Sequence, residues 1–403
     1  MFRTAVRSIS TSSRKSLTVG LIPADGIGRE VIPSAKDAII AVKVRAAGTQ
    51  IHRPPCWMGN IHADGICPSP RYCPVGPTVF HKFRVFHAAL YRTLKEECDC
   101  ALFGSVSSPS RKVAGYSSPI VALRKELDLY ANIRPVFSVA GTGAEAPRTR
   151  PADLIVVREN TECLVRIHTR HCFSVQQTRL YSTLKRRTSS KPKKEKEARA
   201  TRLITERASS RIGKIAFELA KARPRKLLTI IHKSNVLSVT DGLFRESVRA
   251  VPALSNGKFD DVTIEEQLVD SAVYRLFREP EIFDVMVAPN LYGDIISDAA
   301  AALVGSLGVI PSINAGDDFV MGEPVHGSAP DIAGKGIANP VASIRSAALM
   351  LRHLGYASPA DKIDKAVNDT LAPAKLLTPD LGGTASTTEV TEHIMGLIKE
   401  QYK

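Results

Sequence analysis

The 403-residue chain lacks long apolar runs and any regular cysteine pattern. No run approaches the roughly 18 consecutive apolar residues that a membrane helix needs, so we expect no membrane partner. Seven cysteines at irregular spacing fit neither a disulfide framework nor a zinc site, which favours reduced thiols in an intracellular compartment. With 44% hydrophobic residues, a chain of this length can bury the cores of two domains.

Acidic residues are absent from the N-terminus and scarce in one internal segment, and this explains most of the formal charge of +15. The first acid is Asp25, and residues 179–207 contain eleven Lys or Arg against three Glu. The remainder is close to neutral, whereas a nucleic-acid surface spreads basic residues over a folded face with aromatics between them. We therefore expect no nucleic-acid partner, with an RNA-binding protein that uses the 179–207 run as the alternative class.

Residues 1–16 (MFRTAVRSISTSSRKS) are rich in Arg and Ser, and they lack the continuous apolar core of a secretory signal. This composition is typical of a mitochondrial transit peptide. We therefore expect residues 1–16 to be a transit peptide and the protein to be mitochondrial, with a disordered tail as the alternative.

Short apolar runs alternate with amphipathic helical patterns, which predicts an α/β sheet protein. The runs end in polar residues, and in such sheets these residues line a ligand crevice. No GxGxxG follows the first strand, so the usual Rossmann fingerprint is absent. The predicted strands are 16–22, 101–103, 154–157, 227–231 and 282–288, and the clearest predicted helices are 208–222 and 297–307.

Two segments lack this periodicity. Residues 40–90 carry many Pro, Cys and His, and residues 163–200 are polar and strongly basic. Neither composition fits a compact domain. The segments are either surface loops with a basic arm or sequence that is not native coding sequence, such as a retained intron, and we favour the second interpretation.

The motif NLYGDIISD (290–298) follows a strand and opens a helix, which places Asp294 and Asp298 on one helical face. Two carboxylates at this spacing repel each other unless a cation lies between them, and oxygen ligands suit Mg²⁺ or Mn²⁺. An acidic helix start that complements the helix dipole explains them equally well. Asp270 is a candidate third ligand.

Basic residues near the predicted strand ends suit a polycarboxylate ligand. Arg124, Arg134 and Arg158 can clamp carboxylates through bidentate hydrogen bonds, or they form structural ion pairs. Lys233 directly follows a predicted strand, where it is either a general base or an ordinary strand-end lysine.

The stretch 326–340 (HGSAPDIAGKGIANP) is rich in Gly, Pro and Ala. It suits close approach of the backbone to a flat or phosphorylated ligand. Asp331 would accept a hydrogen bond from a ribose 2′-hydroxyl and repel a 2′-phosphate, which indicates NAD.

Six segments, in this order, resemble the β-decarboxylating dehydrogenases, the family of isocitrate, 3-isopropylmalate and homoisocitrate dehydrogenases. The resemblance covers most of the chain outside 40–90 and 163–200. It implies an α/β fold of the isopropylmalate dehydrogenase type, with a central mixed sheet flanked by helices, and not a Rossmann fold. It also implies a homo-oligomer, either a dimer or a tetramer. The matching segments are IPADGIG (22–28), LRKELDLYANIRP (123–135), RENTE (158–162), HKSN (232–235), NLYGDIISD (290–298) and HGSAPDIAGKGIANP (326–340).

The resemblance implies oxidation of a 2-hydroxy acid by NAD, followed by loss of the carboxyl group on the neighbouring carbon as CO₂. Lys233 and Asp270 are the implied catalytic residues, with Lys233 as base or proton relay. The implied ligands of Mg²⁺ or Mn²⁺ are Asp270, Asp294 and Asp298, with Asp270 supplied by the partner subunit. The implied substrate residues are Ser118, Arg124, Arg134, Arg158 and Asn235, and the implied NAD residues are His326, Gly327, Ser328, Ala329, Asp331, Ile332 and Asn339.

The stretch GYSSPIVALR (115–124) resembles the fungal homoisocitrate branch of this family. It predicts oxidative decarboxylation of homoisocitrate to 2-oxoadipate, in lysine biosynthesis through aminoadipate. The alternatives are a mitochondrial NAD-dependent isocitrate dehydrogenase or its regulatory subunit, and a 3-isopropylmalate dehydrogenase. Two positions depart from the family pattern: Val165 stands where a Tyr that protonates the enolate is expected, and Ala24 replaces a glycine.

We expect two domains that flank a cleft. Both chain ends, 17–109 and 305–403, form the cofactor-binding domain. The middle of the chain, 110–304, forms the substrate, metal and dimerisation domain, with 163–200 as an atypical basic insert.

Overall fold

The computed structural model describes residues 17–42, 50–52, 61–62, 65–66, 90–107, 118–138, 152–165 and 201–402. The predicted transit peptide and most of the segments 40–90 and 163–200 lie outside the described residues. Within those ranges, no helix is long and apolar enough to span a membrane.

Ten of the described strands form one mixed sheet, and the other four form two small two-stranded sheets. The strands are β1 (Thr18–Ala24), β2 (Gln50–His52), β3 (Ile61–His62), β4 (Gly65–Ile66), β5 (Cys100–Ser105), β6 (Ala131–Phe137), β7 (Asp153–Glu159), β8 (Cys163–Val165), β9 (Thr201–Leu203), β10 (Leu227–His232), β11 (Thr263–Leu268), β12 (Val285–Ala288), β13 (Ile313–Ala315) and β14 (Val320–Gly322).

The order across the large sheet is β11-β10-β12-β7-β6-β13-β14-β5-β1-β2. Strand β6 runs antiparallel to both of its neighbours, and β13 also runs antiparallel to β14. The remaining neighbours are parallel. The predicted α/β fold with a central mixed sheet is therefore confirmed.

Helices supply the apolar faces that cover this sheet. Helix α4 begins after Thr205, whose side chain accepts a hydrogen bond from the backbone N–H of Ala208. Helix α8 packs against α1 and α9 and is buried along almost its whole length. The helices are α1 (Gly28–Ala41), α2 (90–97), α3 (Pro119–Glu126), α4 (Glu206–Ala222), α5 (Thr240–Arg249), α6 (Val269–Arg278), α7 (Asn290–Ala301), α8 (Val341–His353), α9 (Ala357–Leu371) and α10 (Thr387–Glu400).

The sheet topology brings several polar segments to one edge. Strands β11, β10, β12 and β7 are parallel, so their carboxyl ends meet on the same side. In the register, His232 pairs with Leu268 and Ala288 pairs with Arg158. The antiparallel strand β6 begins at this edge, where Asn132 pairs with Arg158.

One predicted helix is wrong in its bounds. The prediction was 297–307, whereas α7 spans Asn290–Ala301. Residues Ala302–Val304 continue as a 3₁₀ turn, and Gly305 follows with φ +96°, a left-handed conformation that cannot extend a helix. The proposed division into two domains, 17–109 with 305–403 and 110–304, stays a prediction.

Candidate functional site

Two buried arginines converge on one carboxylate of α7. Arg134 Nη2 lies 3.4 Å from Asp294 Oδ1, and Arg158 Nη1 donates to the same oxygen. Arg134 Nη1 also donates to Asp298 Oδ1 at 3.1 Å and to Ser297 Oγ at 2.6 Å. Since Asp294 and Asp298 are one helical turn apart, a single guanidinium reaches both carboxylates. The predicted shared face of α7 is therefore present.

Two asparagines hold these guanidinium groups in place. Arg158 donates to Asn290 Oδ1 from Nη2 at 2.7 Å and from Nε at 3.2 Å. Arg134 Nε donates to Asn132 Oδ1 at 2.7 Å. Asn290 is the first residue of α7, and Asn132 lies near the start of β6. The helix and the strand together fix the direction in which both cations point.

Arg124 joins this group through a chain of polar side chains. Its Nη2 donates to Glu323 Oε2 at 2.8 Å, and Asn314 donates to the same oxygen. Asn132 donates to Asn314 Oδ1 at 3.0 Å, which completes the connection to Arg134. Arg124 Nε is buried and has no hydrogen-bond partner within the described ranges.

Burial partly removes three charged groups of this site from water, namely Arg134, Arg158 and Asp298. Burial lowers the pKa of Arg158 to about 10 and also lowers the pKa of Arg134, although Asp294 opposes both shifts. Burial raises the pKa of Asp298, against the attraction of Arg134. Interactions between charges strengthen where water is excluded. The same charges would therefore bind a charged ligand more strongly at this partly buried site than on an exposed surface.

The predicted third metal ligand lies apart from the first two. Asp270, in the first turn of α6, accepts a hydrogen bond from Lys233 Nζ at 2.6 Å, which lowers the pKa of Asp270. Among the residues that the structure describes, no three His, Cys, Asp or Glu side chains gather as a metal site. One copy of the chain thus brings Asp294 and Asp298 together without Asp270, which is compatible with a third ligand from a partner subunit.

Lys233 follows β10, as predicted. Its backbone N–H donates to Asp241 Oδ2 at 2.7 Å, and buried Asp241 also pairs with Arg202 Nη1 at 2.7 Å. Arg202 Nη1 donates in turn to Tyr292 Oη at 3.1 Å. Over the described part of the chain, no hydrogen bond or ion pair joins Lys233 and Asp270 directly to the arginines. The candidate residues therefore form two groups.

The predicted cofactor loop, 326–340, lies beside the turn between β1 and α1. The Ile27 N–H donates to the Ser328 carbonyl at 3.0 Å. Burial lowers the pKa of His326, whose buried Nε2 has no partner within the described ranges. Gly327 and Asp331 are exposed, and Ser328, Ala329 and Ile332 are partly buried.

Asn339 ends this loop as a buried anchor. Its amide nitrogen donates to Asp380 Oδ2 at 3.0 Å, and its Oδ1 accepts from the Val341 N–H at 3.0 Å. Asn339 therefore connects the end of the loop to the start of α8, and its amide is already engaged within the chain.

Four other residues that the sequence analysis named lie in separate parts of the chain. Ser118 precedes α3 and makes no capping hydrogen bond, and Asn235 is exposed after β10. Ala24 has φ +57°, the left-handed region that favours glycine, so its backbone explains why a glycine is usual there. Val165 ends β8 and pairs with Thr201.

Two arginines differ in their placement from the predicted positions near strand ends. Arg124 lies within α3, and Arg134 is the fourth of the seven residues of β6, whereas Arg158, the penultimate residue of β7, is near a strand end as predicted. Arg124, Arg134 and Arg158 together form the arginine cluster. The sequence interpretation also missed five polar residues that hold this cluster. Their partners are distant in the sequence, so only their position as polar residues in or beside apolar strands could have indicated them. They are Asn132, Asn290, Ser297, Asn314 and Glu323.

The chain is similar to known proteins in its sequence and in its fold. The family model described as isocitrate/isopropylmalate dehydrogenase matches residues 71–394. The isocitrate/homoisocitrate dehydrogenase of Thermus thermophilus is 41% identical over 380 residues, which cover 94% of this chain and 98% of that protein. The homoisocitrate dehydrogenase of Methanocaldococcus jannaschii is 42% identical over 317 residues, which cover 76% and 83% of the two chains.

The fold has a solved counterpart of nearly equal extent. The crystal structure of isocitrate dehydrogenase from Methylococcus capsulatus superposes with a TM-score of 0.73 at 30% sequence identity. The match covers 95% of this chain and 99% of that chain.

Proposed function

Because this chain belongs to the isocitrate/isopropylmalate dehydrogenase family of NAD-dependent decarboxylating dehydrogenases, we propose that its substrate is homoisocitrate. The reaction would convert homoisocitrate, with NAD and Mg²⁺ or Mn²⁺, to 2-oxoadipate, CO₂ and NADH. The stretch 115–124, which resembles the fungal homoisocitrate enzymes, is the basis for choosing this substrate over isocitrate and 3-isopropylmalate.

The proposal of a polycarboxylate substrate is supported mainly by the arginine cluster. Arg124, Arg134 and Arg158 are linked by hydrogen bonds into one group and are paired with carboxylates of the same chain. A bound substrate would present carboxylates of its own, which could replace these partners and form the bidentate pairs that guanidinium groups favour.

Asp294 and Asp298 suit a hard divalent cation. They present carboxylate oxygens from successive turns of α7, and burial disfavours the charge of Asp298, which a cation would compensate. A bound Mg²⁺ would polarise the substrate oxygens and stabilise negative charge during loss of CO₂. The chain's own contribution is to hold these carboxylates beside the arginines, so that the cation and the substrate share one site.

Lys233 is the proposed base at the hydroxyl being oxidised. Its Nζ is hydrogen-bonded to Asp270, and its backbone is fixed by buried Asp241. Because Lys233 contacts Asp270 within one copy, both residues would reach the arginine cluster of a second copy together. Because position 165 is a valine and not the expected tyrosine, no residue is assigned as the donor that protonates the enolate.

A dimer is the proposed assembly, and an exposed apolar face supports it. Asp270, Tyr274 and Phe277 recur at helical spacing on α6, and the side chains of Tyr274 and Phe277 are 63% and 51% exposed. Helix α7 packs against α6 and exposes Leu291 and Ile295. Neighbouring exposed apolar side chains are typical of an interface between subunits, and this face also carries Asp270.

The loop 326–340 is the proposed site for the adenosine half of NAD. Asp331 is exposed and free to accept from the ribose 2′-hydroxyl, and the buried Nε2 of His326 is unpartnered over the described part of the chain. We also propose mitochondrial localisation and a place in lysine biosynthesis, on the composition of residues 1–16 and on the proposed substrate.

Identification of the products tests this proposal. Purified protein incubated with homoisocitrate, NAD and Mg²⁺ should release NADH, CO₂ and 2-oxoadipate in equal amounts. Formation of NADH without CO₂ would contradict decarboxylation. Folded protein that forms no NADH from homoisocitrate would contradict the substrate.

A further inference from the structure

We propose that Glu30 is a positioning residue that holds the loop 326–340 in the conformation that binds NAD. The inference rests on the proposed function, because it concerns the cofactor loop assigned there. Glu30 lies in the first turn of α1 and is half-buried. It belongs neither to the arginine cluster nor to the Lys233–Asp270 pair.

The Glu30 carboxylate is bound by two backbone N–H groups of the loop. Gly334 N–H donates to Oε1 at 2.6 Å, and Gly336 N–H donates to Oε2 at 3.0 Å. Both glycines have left-handed backbones, with φ +80° and +67°. In that conformation the N–H groups of Gly334 and Gly336 both reach the carboxylate, while the Lys335 N–H between them donates to the Ile332 carbonyl at 3.1 Å. Residues other than glycine adopt this backbone conformation with strain. The carboxylate therefore occupies an anion-binding turn built into the loop.

The other half of the loop is held by different contacts. Ser328 accepts from the Ile27 N–H through its carbonyl and from Ser107 Oγ through its hydroxyl, at 3.0 and 2.9 Å. Ala329 and Ile332 pack against a small apolar cluster that contains Ile27. Glu30 thus holds the glycine turn together with the Thr387 N–H, which donates to the Gly336 carbonyl at 2.8 Å, whereas Ser328 and the apolar contacts hold the start of the loop.

The predicted NAD contact lies where these two attachments meet. Asp331 is exposed, stands beside Ile332 of the apolar contacts and is three residues before Gly334, so a change in the glycine turn would shift it. A loop that is already ordered loses less conformational freedom when a ligand binds. Loss of the Glu30 contacts should therefore weaken NAD binding without changing the reacting groups.

Glu30→Gln is the main test variant, because it keeps the side-chain size but removes the charge and one acceptor. We expect the KM for NAD and the Kd for NADH to rise roughly 10-fold, which is the scale of a lost charge-assisted hydrogen bond. The kcat at saturating NAD and the KM for the organic substrate should stay unchanged. Asp37→Asn, in the same helix and paired with neighbouring Lys36, is the matched control.

A second measurement needs no cofactor. Lys335 is exposed between the two glycines, so trypsin cleavage at the Lys335–Gly336 bond reports opening of the turn. Mass spectrometry should detect faster cleavage there in Glu30→Gln than in the parent chain or in Asp37→Asn. The milder Glu30→Asp, whose carboxylate is one methylene shorter, should give an intermediate rate and serves if Glu30→Gln does not fold.

The outcomes separate the inference from the function it rests on. Unchanged Lys335 cleavage would overturn the Glu30 contact, and faster cleavage with unchanged NADH affinity would overturn its role in cofactor binding. If the parent chain bound no NADH while cleavage still accelerated, the proposed function would fail and the attachment of the loop by Glu30 would stand.

Discussion

Arg134 and Arg158 are buried cations that share Asp294, and their burial has an electrostatic cost. Burial lowers the pKa of Arg158 to about 10, yet the group keeps its charge at neutral pH. An isolated buried charge is strongly unfavourable, so each guanidinium needs its carboxylate and amide partners. The asparagine partners Asn132 and Asn290 keep the guanidinium donors oriented, which would reduce the reorganisation that binding of the proposed substrate requires.

His353 is a residue for which burial determines the pH dependence of folding. It lies at the carboxyl end of α8, where the helix dipole favours a cation. Burial outweighs that effect and lowers the pKa of His353 to about 4 from 6.5. Below about pH 6.5 the unfolded chain therefore binds more protons, so this contribution to stability is complete above that pH and is lost towards about pH 4.

We predict that replacing His353 flattens the acid side of the stability curve. Protonation of His353 in the unfolded chain should lower the free energy of unfolding of the parent chain by about 2 kcal/mol between about pH 7.5 and about pH 5. His353→Leu should lack this decrease in urea denaturation measurements. His393→Leu, at an exposed position on α10, is the control and should retain the decrease. Equal pH dependence in both variants would contradict the account.

At the scale of elements, Gly293 allows α7 to approach β7. A Cβ atom at Gly293 would lie 2.7 Å from Cβ and Cγ of Arg158 and 3.1 Å from its Cα. Because one of these atoms is backbone, rotation of the Arg158 side chain alone cannot relieve the contact. The close packing of these two elements therefore sets the position of the guanidinium relative to Asp294.

We predict that Gly293→Ala damages substrate binding more than folding. Displacement of Arg158 by a few tenths of an ångström or more should lower kcat/KM by up to roughly 100-fold, mainly through a higher KM for the organic substrate. Gly396→Ala on α10 is the matched control, because its Cβ would meet no atom within 4 Å. It should leave kcat/KM unchanged and stabilise the helix by about 0.5–1 kcal/mol. Unchanged kinetics in Gly293→Ala would count against the proposed substrate site.

Some of the strands could be predicted from the sequence, and others could not. Apolar runs predicted strands at 154–157 and 227–231, and the observed strands β7 and β10 contain both. Strand β6, which carries Arg134, was not predicted, because its run ANIRPVF contains Arg and Pro and pairs antiparallel across the sheet. The pairing depends on residues far apart in the chain, which local patterns do not record.

The candidate site follows the same division. The order of the motifs predicted the arginines, the aspartates and the lysine of the site, and the structure brings Arg134, Arg158, Asp294 and Asp298 together. The partners that fix them, such as Asn132 and Glu323, follow from sheet register and tertiary contacts. Their roles could not be read from spacing along the chain.

At the scale of the whole molecule, one copy keeps the Lys233–Asp270 pair apart from the arginine cluster. The proposed dimer would bring the pair of one copy to the cluster of the other. Residues on the two sides of such a shared site can complement each other, because a mixed dimer retains one site in which every residue is intact.

We predict that Lys233→Met and Asp298→Asn protomers are each inactive alone and regain partial activity when co-expressed with different affinity tags. The reason is that the mixed dimer contains one site with native Lys233 and native Asp298. Two variants on the same side, Asp294→Asn and Asp298→Asn, are the control and should not complement. NADH formation by doubly purified mixed dimers measures the effect. Activity in the control mixture would contradict the shared site, and so would the lack of activity in both mixtures.

We propose that this chain oxidatively decarboxylates homoisocitrate with NAD and that the arginine cluster binds the substrate. The rate of NADH formation, with Mg²⁺, from homoisocitrate, isocitrate and 3-isopropylmalate supplied separately tests this proposal. We expect the highest kcat/KM for homoisocitrate, by roughly 10-fold or more over the other two, which is the scale on which one added methylene or alkyl group is discriminated. A higher kcat/KM for isocitrate or 3-isopropylmalate would contradict the proposed substrate.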